Sequence, residues 1–322
     1  MKKWITACVC LFLAAGLLAG CGAAPADQTD EKLKVVTTIF PAYDWARAVI
    51  GEEAEHVELT MLLNQGVDLH SYQPTVDDIV KVSSCDVFVY VGGASDDWTD
   101  DALSAAANKR MVTVNLLETL GEAVKEEEIM EGMEEEDDHD HEETEYDEHV
   151  WLSLKNAQVL CRALAETMAG ADPDRAEAYR ANAAAYCQKL AELDEAYAAA
   201  AESAGTKTVL FGDRFPFRYL TEDYGLTYYA AFAGCSAETE ASFETIVFLA
   251  GKVDELGLHC ILQTESANGS IAETIRQNTA SADQEILTMD SLQSATMKDV
   301  EAGVTYLSVM EKNLRVLESA LK

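Results

Sequence analysis

Short β-branched and apolar runs alternate with helical segments over most of this 322-residue chain. The runs Lys34–Ile39 (KVVTTI) and Val87–Val91 (VFVYV) are apolar on both faces, which is typical of strands buried in a parallel sheet. A helical segment follows the first run up to Ile50, and Thr75 can cap a helix that extends to Val82. Strands that alternate with helices in this way predict an α/β layer structure.

The same alternation resumes after Gly205, where the sequence predicts three further strands and a terminal helix: Thr208–Phe211, His259–Gln263, Ile286–Met289 and about Val300–Leu321. Between the two halves, Asp172-Pro173 is a typical helix start, followed by an alanine-rich stretch of about thirty residues, or about 45 Å of helix. We therefore predict two Rossmann-like α/β domains, residues 33–170 and 205–322, joined by a long rigid helix at 171–204.

The N-terminus has the pattern of an export signal. Two lysines precede the apolar stretch Ile5–Leu18, and two small residues then lead into Cys21. The apolar stretch is too short to cross a bilayer comfortably. The segment resembles a bacterial lipobox, which implies a signal peptide over residues 1–20, lipidation of Cys21 and an extracytoplasmic, membrane-anchored protein. The alternative is an ordinary secretory signal with an incidental cysteine. Residues 21–32 are predicted to be a flexible tether.

The formal net charge of the chain is −35, so its surface repels nucleic acid and attracts cations. The acidic residues are concentrated at 126–148, where His139 and His141 lie among them. Such a segment cannot bury enough apolar surface to fold, so we predict a disordered loop. Its two histidines either collect metal ions with low affinity or have no specific role. Apart from Cys21, five cysteines follow the signal, an odd number without C-x-x-C spacing, so no disulfide framework is indicated.

Two of the six histidines lie on loops that an α/β scaffold can present to a ligand. His70 lies between a predicted strand and a helix, and His149 lies between the acidic segment and the next helix. Each could instead cap a helix or fill a pocket. The chain contains no G-x-S-x-G, H-E-x-x-H or Walker motif, so no common hydrolase or nucleotide-binding pattern is present.

The settings of these histidines resemble those in the zinc- and manganese-specific solute-binding lipoproteins of ATP-driven metal importers. His70 lies in G-x-D-x-H-x-Y-x-P and His149 in D-x-H-V-W-L, as the two histidine ligands of that family do. The acidic segment, the long helix and the segments Ile286–Asp290 and Gly303–Leu317 are also similar to parts of those proteins. The resemblance implies that His70, His149 and Asp290 bind a divalent metal in the cleft between the domains. Imidazole and carboxylate suit Zn²⁺ or Mn²⁺.

One ligand position of the family is not filled in the expected way. The resemblance places a third ligand at Gly212, and glycine has no coordinating side chain. Asp213, Cys235 and Glu265 are possible replacements, and water is a fourth possibility. Asp213 could instead cap a helix, Cys235 could be a buried thiol, and Glu265 could be a solvated or paired acid.

The resemblance implies a receptor without catalytic turnover that captures a divalent transition metal, and we expect Zn²⁺ as the ion and a monomer as the assembly. It would pass the metal to the permease and ATPase of a metal ABC importer. One alternative is a cell-surface zinc metalloenzyme, since three protein ligands plus water also hold catalytic zinc. The other is an adhesin lipoprotein in which the metal only stabilises the fold.

Overall fold

A computed structural model describes residues 32–133, 146–236 and 240–322. The predicted signal peptide, Cys21 and the tether up to residue 31 lie outside the described residues, and so do His139 and His141. The strands are β1 (Leu33–Thr37), β2 (Val57–Met61), β3 (Val87–Tyr90), β4 (Val112–Asn115), β5 (Thr208–Phe215), β6 (Thr227–Ala233), β7 (Cys260–Thr264) and β8 (Glu285–Met289). The α-helices are α1 (Phe40–Ile50), α2 (Val76–Ser84), α3 (Trp98–Ser104), α4 (Leu116–Leu120), α5 (Leu154–Ala171), α6 (Ala176–Ser203), α7 (Arg218–Asp223), α8 (Phe243–Leu256), α9 (Ser270–Asn278), α10 (Met297–Glu301) and α11 (Tyr306–Ala320).

The strands form two parallel four-stranded sheets, with orders β2-β1-β3-β4 and β6-β5-β7-β8. We call the parts of the molecule around them the first and second lobe. In each sheet the chain leaves the first strand in one direction and returns on its other side. This reversal makes a topological switch point, beside which α/β proteins bind ligands. The predicted architecture of two parallel-sheet α/β domains is confirmed.

Helix α6 connects the two sheets along the chain, and its 28 residues correspond to about 42 Å. Asp172 is the N-cap and Pro173 the first helical residue, as predicted, but the first turn, Pro173–Arg175, is a 3-10 turn and the α-helix begins at Ala176. The carboxylate of Asp172 contacts the guanidinium of Arg175 at 3.1 Å and accepts the hydroxyl of Tyr179 at 2.9 Å. The side chain of Asp172 therefore ties the first turn of the long helix to the preceding segment.

The predicted terminal helix is interrupted. Helices α10 and α11 are separated by Gly303, whose φ of +92° lies in the left-handed region, and Thr305 then caps α11 by a capping box with Ser308. This break brings the amide of Tyr306 within 2.8 Å of Oδ2 of Asp44 in the first lobe. The interruption thus positions the last helix against the other half of the molecule.

One hydrophobic cluster extends through both lobes, and a smaller one lies only in the second. Tyr306 illustrates the shared cluster. Its ring packs against Trp45 at 5.3 Å, and its hydroxyl donates to the carbonyl of Trp151 at 2.6 Å. The indole of Trp151 in turn donates to the carbonyl of Ser291 in the second lobe at 2.9 Å. The boundaries 33–170, 171–204 and 205–322 remain a prediction.

Among the helices in the described ranges, none combines the length and apolar character needed to cross a bilayer.

The described cysteines are all free thiols. Cys85, Cys161, Cys187 and Cys260 are buried, while Cys235 is only half-buried. Cys235 is therefore the exception among the described cysteines.

Candidate metal centre

Three segments that follow strands or precede helices meet at the carboxyl edges of the two sheets. His70 lies on a 3-10 turn after β2, and His149 immediately precedes the 3-10 turn that leads into α5. Cys235 follows β6 in the second lobe. One nitrogen of each imidazole and the sulfur of Cys235 all lie within 4.8 Å of one another. The structure therefore brings together three potential metal ligands from both lobes.

The two histidines approach each other through Nε2. These nitrogens lie 3.1 Å apart. Two imidazole nitrogens that bind one tetrahedral zinc ion at 2.0–2.1 Å are about 3.3 Å apart. At this distance a hydrogen bond joins the two rings when one Nε2 carries a proton and the other accepts it. A divalent ion can replace that proton with little movement of either ring.

The outer nitrogen of each ring is already occupied. Nδ1 of His70 lies 2.8 Å from the hydroxyl of Ser95, and Nδ1 of His149 lies 2.9 Å from Oδ1 of Asp147. A hydrogen bond at Nδ1 fixes the orientation of the ring and leaves the lone pair of Nε2 for a metal. The arrangement at His149 is therefore a carboxylate–histidine pair of the kind that backs zinc ligands.

The surroundings shift the pKa values of the two rings in opposite directions. Burial, followed by the charge of His149, lowers the pKa of His70 to about 3, so this ring is neutral at neutral pH. Burial also opposes a charge on His149, but the hydrogen bond and charge of Asp147 outweigh it and raise the pKa. Glu148 lies beside the pair, 3.6 Å from Nδ1 of His70, and burial raises its pKa to about 7.

Cys235 is held by two residues from the acidic segment and its flank. Its amide donates to Oε1 of Glu127 at 2.9 Å, and the amide of Glu148 donates to its sulfur. Gly234 allows the close approach, since a Cβ there would lie 2.9 Å from the carbonyl of Phe215 and 3.1 Å from the ring of His149. Burial and then the nearby carboxylates raise the pKa of the thiol well above its usual value. The thiol is therefore protonated in these surroundings, and a bound cation would stabilise the thiolate.

Gln293 provides a fourth polar group at the same place. Its amide nitrogen lies 3.3 Å from Nε2 of His149, and its amide oxygen is buried without a hydrogen-bond partner. The preceding residue, Leu292, has a φ of +65°, a strained conformation that helps to aim the next side chain. Rotating the amide by half a turn would exchange oxygen for nitrogen and present an oxygen ligand.

The other sequence-predicted ligands lie outside the group of three. Oδ1 of Asp290 accepts the amide of Leu292 at 2.9 Å, and burial, followed by the charge of Glu265, raises its pKa to about 6. Glu265 accepts the amide and hydroxyl of Ser291 at 2.7 and 2.9 Å. Asp290 and Glu265 thereby shape the turn that carries Gln293.

Asp213 and Gly212 also lie outside the group of three, and each contacts a neighbouring element of the second lobe. Oδ2 of Asp213 accepts the amide of Thr264 at 2.9 Å, which joins β5 to the end of β7. A Cβ on Gly212 would lie 2.6 Å from Cα of Ala272, because α9 crosses the strand at this point. The structure leaves no room for a side chain at the position where the resemblance places a ligand.

Within the acidic segment, the described residues 126–133 and 146–148 make defined contacts. Glu126 and Tyr146 form an antiparallel bridge, and the amide of Asp147 donates to the carbonyl of Lys125 at 2.9 Å. The segment therefore begins and ends beside the metal-binding group. Sequence reasoning did not assign roles to Glu127, Asp147 or Gln293. The D-x-H spacing was the one available signal, and it pointed to Asp147.

The fold and this group define a two-lobed α/β binding protein whose cleft presents nitrogen and sulfur donors. Residues 35–320 match the family described as the periplasmic zinc-uptake complex component A (ZnuA), and the chain belongs to this family. The predicted family is thus confirmed.

Individual relatives agree with this assignment. The chain is 34% identical over 295 residues to the zinc-binding lipoprotein AdcA of Streptococcus pneumoniae, covering 90% of this chain and 56% of AdcA. The chain thus spans about half the length of that curated relative. It is 30% identical over 334 residues to the high-affinity zinc uptake system protein ZnuA of Bacillus subtilis, covering 99% and 98%. The crystal structure of the Zn(II)-bound ZnuA-like domain of Streptococcus pneumoniae AdcA superposes with a TM-score of 0.70 at 29% identity, covering 90% and 99%.

Proposed function

We propose that this protein is an extracytoplasmic receptor that captures Zn²⁺ between its lobes and delivers it to the permease of an ABC importer, without chemical turnover. The observation that carries the proposal is the meeting of His70, His149 and Cys235 within 4.8 Å. Lipid on Cys21 would anchor the receptor to the membrane. The names of the zinc-uptake relatives support both the cargo and the importer as partner.

The donor set favours zinc over manganese. Two imidazoles and one thiolate are borderline to soft ligands, which suit Zn²⁺, whereas Mn²⁺ prefers carboxylate, carbonyl and water oxygens. We propose that the amide oxygen of Gln293 or a water molecule completes a tetrahedral site. Asp290 would then support the site by shaping the turn that carries Gln293. Asp213 would support it by its hydrogen bond to Thr264 at the end of β7.

Replacing Cys235 tests this assignment. Cys235→Ser should weaken zinc binding at least about tenfold, which corresponds to about 1.4 kcal/mol, because the thiolate charge is lost. Competition against a chelator measures the dissociation constant. Bound Co²⁺ should give a thiolate charge-transfer band with the parent protein and none with this variant. Cys260→Ser, which alters a buried thiol in β7, is the matched control and should leave both results unchanged. Equal zinc affinity and an intact cobalt band in Cys235→Ser would refute the site.

The acidic segment is proposed to collect zinc ions near the cleft through His139, His141 and the surrounding carboxylates. Attraction of ions to exposed charges is screened over about 8 Å at physiological salt, so the segment acts only on ions that are already close. A variant in which a short Gly-Ser linker replaces residues 134–145 keeps Glu127 and Asp147. It should retain the tight zinc equivalent and lose the weaker equivalents in a chelator titration. Loss of the tight equivalent would mean that the segment itself supplies a ligand.

A further inference from the structure

A cationic side chain lies beside the candidate metal centre of this strongly acidic protein. Arg214 belongs to β5 of the second lobe, and its Nη2 lies 2.9 Å from Oδ2 of Asp68 in the first lobe. Its Nη1 donates to the backbone carbonyl of Ser236 at 3.4 Å. The guanidinium therefore contacts both sides of the cleft at once.

Both partners of Arg214 are close neighbours of proposed ligands. Asp68 caps the turn that carries His70, because its Oδ1 accepts the amide of His70 at 3.0 Å. Ser236 follows Cys235 directly in the chain. One guanidinium thus links the carboxylate that caps the turn of His70 in the first lobe with the backbone carbonyl next to Cys235 in the second.

The ion pair is sheltered enough to matter energetically. The side chains of Arg214 and Asp68 are 20% and 19% exposed, so the pair is screened less than an ion pair on the open surface. Burial opposes ionisation of Asp68, but the charge of Arg214 and further favourable contacts outweigh it and lower the pKa of this carboxyl. The pair borders a pocket of about 260 Å³ beside His70.

We propose that Arg214 is a positioning residue that holds the two ligand-bearing sides of the cleft together before zinc arrives. This inference rests on the proposed zinc-binding function. Arg214 acts through Asp68 and the Ser236 carbonyl rather than by coordination, because a guanidinium stays protonated and offers no acceptor. A site assembled in advance loses less conformational freedom when the ion binds.

The proposal predicts which rate constant changes. Without the pair, the loops that carry His70 and Cys235 separate more easily, so bound zinc leaves faster. Entry of zinc depends mainly on the negative charge around the cleft, which removal of one cation does not reduce. Arg214→Gln should therefore raise the dissociation rate constant about tenfold and leave the association rate constant within about twofold.

A double-mutant cycle with Asp68→Asn shows whether Arg214 acts through Asp68. The asparagine keeps an acceptor for the amide of His70 and loses only the charge. Each single variant should release zinc about tenfold faster, and the double variant no faster than the weaker-binding single variant. Arg180→Gln, which breaks an exposed ion pair with Glu166, is the control and should release zinc like the parent. Unchanged release by Arg214→Gln, or multiplied effects in the double variant, would overturn the inference.

Cobalt spectra separate this inference from the proposed function. If the parent protein binds zinc weakly or lacks the thiolate band, the proposed function fails. If the parent binds tightly with the band and Arg214→Gln releases zinc at the parental rate, only the positioning role fails. Circular dichroism checks that each variant is folded. If Arg214→Gln does not fold, the release rate of Asp68→Asn is used to test the inference instead.

Discussion

Asp147 is bonded to both the backbone and the ring of one histidine. Its Oδ1 accepts the amide of His149 at 2.9 Å and Nδ1 of the same residue at 2.9 Å. Both Asp147 and His149 are nearly inaccessible to solvent, so water does not weaken these bonds. The carboxylate therefore fixes the direction of the Nε2 lone pair and increases its basicity.

Replacing Asp147 should weaken zinc binding without removing a ligand. Asp147→Asn keeps an acceptor for His149 and loses the charge, and we expect a 10- to 100-fold loss in affinity, the range typical of residues that support zinc ligands. Chelator competition measures this change. Asp194→Asn, which affects a hydrogen bond to Tyr224 away from the site, should bind zinc like the parent. Parental affinity in Asp147→Asn would show that the carboxylate is dispensable.

The sequence indicated His70 and His149 because both lie in distinctive local patterns. It did not distinguish Cys235 from Asp213 and Glu265 as the third ligand, because that choice depends on the positions of three loops in the folded protein. The position of Gln293 depends on the left-handed turn at Leu292, and a non-glycine residue in that conformation gives no reliable sequence signal.

At the scale of elements, α9 determines what β5 can carry. The helix passes so close to the strand that Cα of Ala272 lies 2.6 Å from where a Cβ of Gly212 would be. Backbone atoms of a packed helix cannot rotate away as a flexible side chain can. The absence of a ligand at Gly212 is therefore a consequence of helix–strand packing.

Introducing a methyl group at this position should destabilise the protein. Gly212→Ala forces α9 outward, and overpacking of this kind costs about 1 to 3 kcal/mol in the free energy of unfolding. Urea denaturation measures the change. Gly170→Ala, at a helical glycine with open space around it, should be neutral or slightly stabilising. A parental denaturation midpoint for Gly212→Ala would show that the helix moves without cost.

The elements that sequence patterns predicted correctly are those with strong periodicity or clear caps, such as β3 and α2. Strand β4 (VTVN) was missed because it is short and partly polar, and β6 (TYYAAFA) because its alanines resemble a helix. In both segments, tertiary packing rather than local sequence preference determines the strand conformation. The break in the terminal helix depends on Gly303, which a helical pattern tolerates in sequence.

At the scale of the whole molecule, buried carboxyl groups make stability depend on pH. Asp96 is 1% exposed, and its Oδ2 accepts the amides of Val91 and Gly92 at 2.8 and 3.1 Å. Burial raises its pKa to about 6, above the value of about 3.9 expected in the unfolded chain. Between these values the folded state binds more protons, so the free energy of unfolding falls as pH rises.

Asp96→Asn should remove this part of the pH dependence. The stability of the parent relative to the variant should fall by about 1 to 3 kcal/mol between pH 4.5 and pH 7. Urea denaturation of the metal-free proteins at several pH values measures the difference. Asp100→Asn, at an exposed position in α3, should follow the parent at every pH. Parallel curves for the parent and Asp96→Asn would contradict the prediction.

The hydrophobic cluster shared by the two lobes has a consequence for protein engineering. One design for a zinc sensor would split the chain into two fragments that reassemble around the ion. Here a cut between the sheets would expose the packed faces of Trp45, Trp151 and Tyr306 on separate polypeptides. Fragments with such exposed apolar surfaces would aggregate before they could reassemble. Reporter domains should instead be inserted at an exposed turn such as Gly225, which leaves the common interior intact.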